Sequence, residues 1–199
     1  MAIQFQYNKT SLQYLQKQMN TRLKALPVLK NKEAALRLEV KKAKNEIQLM
    51  DESLKAEKNR LGQMAGLWED FDMSLINVEN VDVGSTMLAG VRIPKPADVH
   101  FRIKNFSLFN KPHWYGDGIE ILKNLASIVI EKEFLTRKML LLDRARKKTT
   151  QKVNLYEKNQ IPEYDQAIKK IKRFMEDEEN LAKSSQKILK NKLQKAEES

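Results

Sequence analysis

The side chains best suited to chemistry in this chain are two histidines, His100 and His113, and carboxylate pairs such as Glu178-Glu179. Histidines joined to a cysteine or carboxylate at ligand spacing could hold zinc, and carboxylates facing each other across a pocket could move protons. Neither arrangement is met. The histidines have no ligand spacing and no cysteine to join them, and Glu178-Glu179 falls in a helical stretch that reads as a solvated face. No G-x-x-x-x-G-K-[ST] phosphate loop occurs. The chain has no cysteine, which rules out disulfides and thiol nucleophiles and permits a reducing compartment. The expectation is therefore a protein with no catalytic residue, no bound cofactor and no metal site, and not an enzyme in itself.

The charge has a pattern of its own. The chain has 199 residues, 32% of them charged, with 6 Gly, 5 Pro and a net charge of +11. Residues 1–50 hold ten Lys/Arg against three Glu, net +7, and residues 51–75 hold three against six, net −3. Much charge with few helix breakers suits long solvated helices, and a basic block suits an acidic partner. No apolar run approaches the roughly 20 residues that span a bilayer, and the opening residues do not read as a secretory signal.

The elements that must carry this charge follow from periodicity. One heptad register runs unbroken from Leu12 to Leu75. Its a sites run from Leu12 through Met19, Leu26, Glu33 and Val40 to Leu75, and its d sites run from Leu15 through Arg22, Leu29 and Leu36 to Met64 and Phe71. Sixteen of these nineteen sites are apolar. A 3.5-residue period held this long predicts a left-handed coiled-coil helix. A second run begins after Gly118, with Ile121, Ile128, Leu135, Leu142, Thr149 and Tyr156 at its d sites. After Pro162 the seam resumes one residue late, at Tyr164, Ile168, Ile171 and Met175, which predicts a stutter and local unwinding.

Residues 76–117 break the pattern. They hold Gly84, Gly90, Gly116 and three of the prolines, and "VENVDV" and "TMLAGVRI" are rich in strand formers. This predicts a small β-hairpin, with Gly84-Ser85 as the turn between those two runs, followed by an irregular aromatic segment. The fold expected is all-α: a long antiparallel two-helix coiled coil with a β-hairpin insert at the hairpin end. Its parts are an N-terminal helix over 1–75, an insert or head over 76–117 and a C-terminal helix over 118–199. If Leu75 faces Gly118, facing residue numbers total about 193, and Pro27 lies nearly level with Pro162 as a joint bend.

With those residues in view, the chain resembles the D subunit of the V-type and archaeal A-type rotary ATPases. "KTSLQYLQKQMNTRLKAL…LKNKEAAL" is similar to the family's first helix and "LAGVRIP" (Leu88 to Pro94) to its hairpin strand. "TTQKVNLYEKNQIP" matches a family pattern at Thr149, Lys152, Val153, Asn154, Glu157 and Pro162. Residues 98–117 match nothing in the better-known members. The resemblance implies a non-catalytic rotor shaft in the central stalk that couples ATP hydrolysis or synthesis to ion transport. It implies as partners the catalytic and regulatory ring subunits, a small F subunit on the flank, and a socket subunit above the membrane rotor ring. It also implies a cytoplasmic, membrane-peripheral complex, with neither nucleic acid nor direct membrane insertion.

Two groups of residues are candidate contacts. The ring would meet the basic end, at Lys17, Lys24, Lys30, Lys32, Lys169, Lys170, Lys172 and Arg173. The F subunit, or the chain's own insert, would meet a second apolar stripe beside the seam, at Ile119, Leu122, Ala126 and Val129, with Gly62 and Gly66 outward on the first helix. The rival reading is a coiled-coil scaffold or adaptor unrelated to ATPases; it explains the heptads but neither "LAGVRIP" nor the Thr149–Pro162 pattern. A nucleic-acid binder lacks interleaved aromatics, and a membrane binder would need a broader apolar face.

Overall fold

A computed structural model describes residues 3–63, 65–69, 71–105, 107, 109 and 112–197. The d-site Met64 and parts of the segment 98–117 lie outside the described residues. In chain order the elements are helix α1 (Lys9–Gln63), a short helix α2 (Ala65–Trp68), a 3-10 turn (Met73–Leu75) and strands β1 (Ile76–Leu88) and β2 (Val91–Ile103). Helix α3 (Tyr115–Asn154), a π turn (Leu155–Gln160) and helix α4 (Ile161–Glu197) complete it. The chain is mostly helical, with one two-stranded antiparallel sheet, so the all-α expectation with a small hairpin describes its element content. No described helix is long and apolar enough to cross a membrane.

The chain divides into two compact units, residues 1–31 with 149–199, and residues 32–148. In the first, Leu15 packs on Ala167, Ile168 and Ile171, with Leu12, Met19, Tyr164 and Met175 around them. The chain enters α1 through an N-cap: Asn8 Oδ1 accepts from the Ser11 backbone N–H at 2.7 Å, and the Gln6 N–H reaches the Ser11 hydroxyl at 3.3 Å. Ahead of the cap, Ile3 and Phe5 fold onto the same cluster and Tyr7 packs on Phe174, ring centroids 4.8 Å apart.

In the second unit, Leu36 and Val40 of α1 meet Leu142 of α3. The described seam sites of α1 are all buried or half-buried, while most residues between them are exposed. The charged residues on and beside the seam have partners. Glu33 pairs with Arg37 at 2.9 Å, Lys132 with Asp51 at 2.5 Å and Arg146 with Asp143 at 2.8 Å. Ionic contacts thus replace part of the water that these charges lose on packing, as half-burial of a charge requires.

The register differs from the expected total of about 193. Arg22 meets Gln160, Glu46 meets Lys138 and Asp51 meets Lys132, so partners in the second run fall about ten numbers earlier than expected. The cause is the end of α1. Regular helix stops at Gln63, and the heptad pattern from there to Leu75 is carried by a short helix and a 3-10 turn. Pro27 and Pro162 are accordingly offset rather than level.

The hairpin closes through Ala89 (φ 49°) and Gly90 (φ 74°), both left-handed, as a two-residue type I′ turn requires. Register slips between Val78 and Asn80 and between Val81 and Val83 mark one extra residue in β1 and, nearer the turn, one extra residue in β2. The tip does not project. Leu88, Ala89, Val91 and the buried Ile93 pack on Leu36, Val40, Met139 and Leu142, and Lys32 lies over Gly90. At the other end of the hairpin, Phe71, Leu75, Tyr115 and Ile119 form a buried aromatic cluster with Trp68, Trp114, Ile76 and Leu122. Gly118 sits beneath it: a Cβ there would lie 2.9 Å from Trp114 and 3.1 Å from Phe71, so only hydrogen fits.

Candidate interaction surfaces

The basic end is built on the helix faces turned away from the seam. Lys17, Lys24, Lys170, Lys172 and Arg173 are exposed, and among the described residues none has a carboxylate within 4.0 Å. Lys169 is tied to Asp165 at 2.7 Å and Lys30 to Glu157 at 2.7 Å. Lys169, Lys170, Lys172, Arg173 and Glu176 rim one shallow depression of about 410 Å³ on α4. Lys32 falls in the other unit, on the hairpin tip. Surface cations in this arrangement repel one another and attract an acidic or dipolar wall. Each exposed pair they form is worth only about 0–1 kcal/mol.

Beyond Met175, α4 runs on to Glu197 with Leu181, Ile188, Leu189 and Leu193 all exposed. On a helix these four fall within one broad face, and Lys183, Lys187 and Lys190 lie off it. Most helical stability in proteins comes from packing an amphipathic face, and four bare aliphatic side chains mark this one as a surface made for covering.

The stripe expected beside the seam is divided. Ile119 is buried and Leu122 half-buried under Phe71, Trp114 and Tyr115, the chain's own aromatics. Ala126 is half-buried, whereas Val129 and Leu140 are exposed. Val129 opens onto a groove of about 460 Å³ with Val81, Ile130, Phe134 and Thr136, edged by Lys132, Glu133 and Arg137. Gly62 and Gly66 are both exposed, and a Cβ on either would meet nothing within 4 Å. Their own packing within this chain does not call for glycine.

The pattern Thr149–Pro162 occupies the last turns of α3, the π turn and the first turn of α4. Thr149 is buried and Val153 half-buried on the seam; Lys152 and Asn154 are exposed; Glu157 takes the ammonium of Lys30. Pro162 stands in the first turn of α4. The charged groups nearby behave as their partners dictate. Asp143 is held below the ordinary carboxylate range by the hydrogen bond from Arg146, with burial opposing and Lys147 assisting. On the hairpin, the Asp82 carboxylate accepts from Asn80 at 2.9 Å and pairs with His100 at 3.0 Å, and raises the His100 pKa above 6.5. The described residues hold no group of three or more side chains fit for a metal ion.

Sequence reasoning missed the docked hairpin tip, the close packing over Gly118 and the role of Arg22. In the heptad pattern Arg22 is only an exception. In the fold its donors are accepted by Gln18 and Gln160 and its guanidinium lies over the rings of Tyr156 and Tyr164.

Residues 11–191 match the sequence profile of the ATP synthase D subunit. The chain is 34% identical over 170 residues to the V-type ATP synthase D subunit of Borreliella burgdorferi, covering 84% of each chain. It is 28% identical to the protein of that name from Chlamydia trachomatis serovar L2 over the whole of both chains. It is 27% identical to that of Chlamydia pneumoniae, covering 98% of this chain and 95% of the other.

Proposed function

This chain belongs to the family of ATP synthase D subunits, and we propose that its paired helices are the non-catalytic central shaft of a V-type rotary ATPase. A rotary ATPase stalk subunit links ATP hydrolysis or synthesis to ion transport. We read residues 1–75 and 118–199 as the two helical arms, wound as an antiparallel coiled coil, and 76–117 as the head. The shaft acts through shape, stiffness and charge. The observation that carries this reading is the bare amphipathic end of α4, where Leu181, Ile188, Leu189 and Leu193 are exposed beside a basic face at Lys17, Lys24, Lys170, Lys172 and Arg173. A sleeve of surrounding subunits would cover the aliphatic side chains and offer acidic or dipolar walls to the cations. Lys30 and Lys169 belong to the same proposed ring contact, already held by Glu157 and Asp165 within the chain, and Lys32 of the other unit is a separate candidate beside Gly90.

The groove at Val129, together with Ala126 and the open glycines Gly62 and Gly66, suits the small flank subunit, while Ile119 and Leu122 serve the aromatic cluster inside the chain. The head end suits the socket above the membrane rotor, making the protein a peripheral part of a membrane complex at its cytoplasmic face. The test is capture of the assembled ATPase through a tag on this chain. Wild type should bring down the ring subunits and the small flank subunit. Val129→Asp should lose the small flank subunit at least tenfold while the melting temperature of the free chain stays within about 1 °C, since a surface change away from the core costs little stability. Capture of nucleic acid, or of no ATPase subunit, would return the chain to the scaffold reading.

A further inference from the structure

The seam of the second helical run changes phase once. From α3 into the π turn it falls on Ile128, Leu135, Leu142, Thr149 and Tyr156, in steps of seven, and the next step would bring Glu163 inward. Instead α4 buries Ala167, Ile168 and Ile171, with Tyr164 and Met175 beside them. One extra residue separates the two phases, and the backbone takes it up in the π turn Leu155–Gln160. There the Ile161 N–H bonds to the Tyr156 carbonyl, five residues back instead of four. Pro162 has no N–H of its own to rebuild an ordinary turn at that point.

Arg22 of α1 is seated on this turn. Its Nε–H donates to Gln160 Oε1 at 2.6 Å, and its Nη1 donates to the Gln18 side chain at 2.7 Å and the Gln18 carbonyl at 3.0 Å. Its guanidinium lies 4.7 Å from the Tyr164 ring centre and 5.8 Å from that of Tyr156. Gln160 and Tyr156 belong to the π turn and Tyr164 to the first residues after it. A half-buried arginine needs its donors met. If the turn closed to ordinary α geometry, everything downstream, Tyr164 included, would rotate by roughly 100° relative to Tyr156 and leave its place against Arg22. The alternative phase would bring Glu163, Lys170 and Phe174 to the seam. Polar groups in an otherwise apolar seam are a means by which a helix pair selects one register over another, often at no gain in stability.

We propose that Arg22 is a positioning residue that recognises the π turn and thereby fixes the phase of α4 on α1. The absence of cysteine from the sequence makes the phase readable by cross-linking in the full-length chain. Leu15→Cys with Ile171→Cys reports the observed phase, and Leu15→Cys with Lys170→Cys reports the alternative. With Arg22 present, the 15–171 link should form and the 15–170 link should not. Arg22→Leu should raise the 15–170 product at least tenfold with the melting temperature unchanged or higher, and Gln160→Ala should raise it by a smaller factor. Deleting Lys158 removes the extra residue, so that an ordinary helix keeps the downstream seam in phase. In that background Arg22→Leu should leave the link to the original Ile171 as the sole product. If neither Arg22→Leu nor Gln160→Ala yields the 15–170 link, whatever their effect on melting, Arg22 adds stability only and the proposal is wrong. Release of the 15–170 link by Arg22→Leu even in the Lys158 deletion would also overturn it, because the π turn would then not be what Arg22 reads.

Discussion

His100 shows what a single side chain owes to its neighbours. Its ring pairs with Asp82 across two strands, and that hydrogen bond, then the charge of Asp82, raises its pKa above 6.5, with Asp98 and Glu79 adding to the effect. A histidine whose folded pKa is raised contributes stability that is fully present below the unfolded value of about 6.5 and is lost as pH rises through the folded value. The imidazole is exposed, so the effect belongs to the hairpin locally. In a proton NMR titration His100 should titrate above 6.5, and Asp82→Asn should return it toward the ordinary value; an unchanged midpoint in Asp82→Asn would remove the pair from consideration. The sequence places His100 in the insert, yet carries no hint of its partner. Simple alternation does not bring residues 82 and 100 together. The extra residue in β1 between Val78 and Asn80 does, and a bulge leaves no mark in a pattern of apolar and polar residues.

Among elements, the hairpin and the π turn were legible to different degrees. The strand-forming runs predict a hairpin from local chemistry, but the turn expected at Gly84-Ser85 lies at Ala89-Gly90, while Gly84 and Ser85 pair with Lys95 and Pro94 inside the ladder. Where the tip packs could not be read, since Leu36, Ile93 and Leu142 meet only through the tertiary fold. Gly90 is the point where turn and packing coincide. Gly90→Ala puts a Cβ 3.2 Å from the movable Lys32 ammonium, which can give way, but it also forces an L side chain into φ +74°. The cost should be about 1 kcal/mol, a fall of roughly 2–4 °C in the melting midpoint. Lys32→Ala in the same background should recover little of it. Full recovery would mean that the contact, not the backbone, sets the cost. The phase change is visible in sequence as a seam resuming one residue late, and it differs from the expected stutter. Spacing reveals that a residue has been added but not how the backbone absorbs it. A π turn absorbs it within one turn instead of spreading the mismatch along the supercoil.

Taken whole, the molecule offers its partners many weak charges and no single strong one. Lys24, Lys30, Lys170 and Arg173 are each exposed, so any one contact is worth about 0–1 kcal/mol and is screened by salt. Single alanine changes at these positions should leave ATP-driven rotation largely intact, whereas the fourfold variant should weaken assembly of shaft and ring, and more so at high salt. Loss of rotation from one substitution in an assembled complex would replace shared contact with a specific catch. The heptads made the long helices legible at this scale, and the misplaced end of α1 shifted the whole expected register by about ten residues, because periodicity continues through Trp68 and Leu75 after regular helix has stopped. The packing of Leu15 on Ile171 also has a consequence in time. During synthesis the first seam residues leave the ribosome long before their partners exist. At about 5–20 residues per second, Leu15 waits roughly ten to thirty seconds for Ile171, while the hairpin and the helices flanking it can already close on one another. The terminal pair is therefore the last to be made, and the newborn chain passes through a period in which half of a helical interface is bare to every other protein around it.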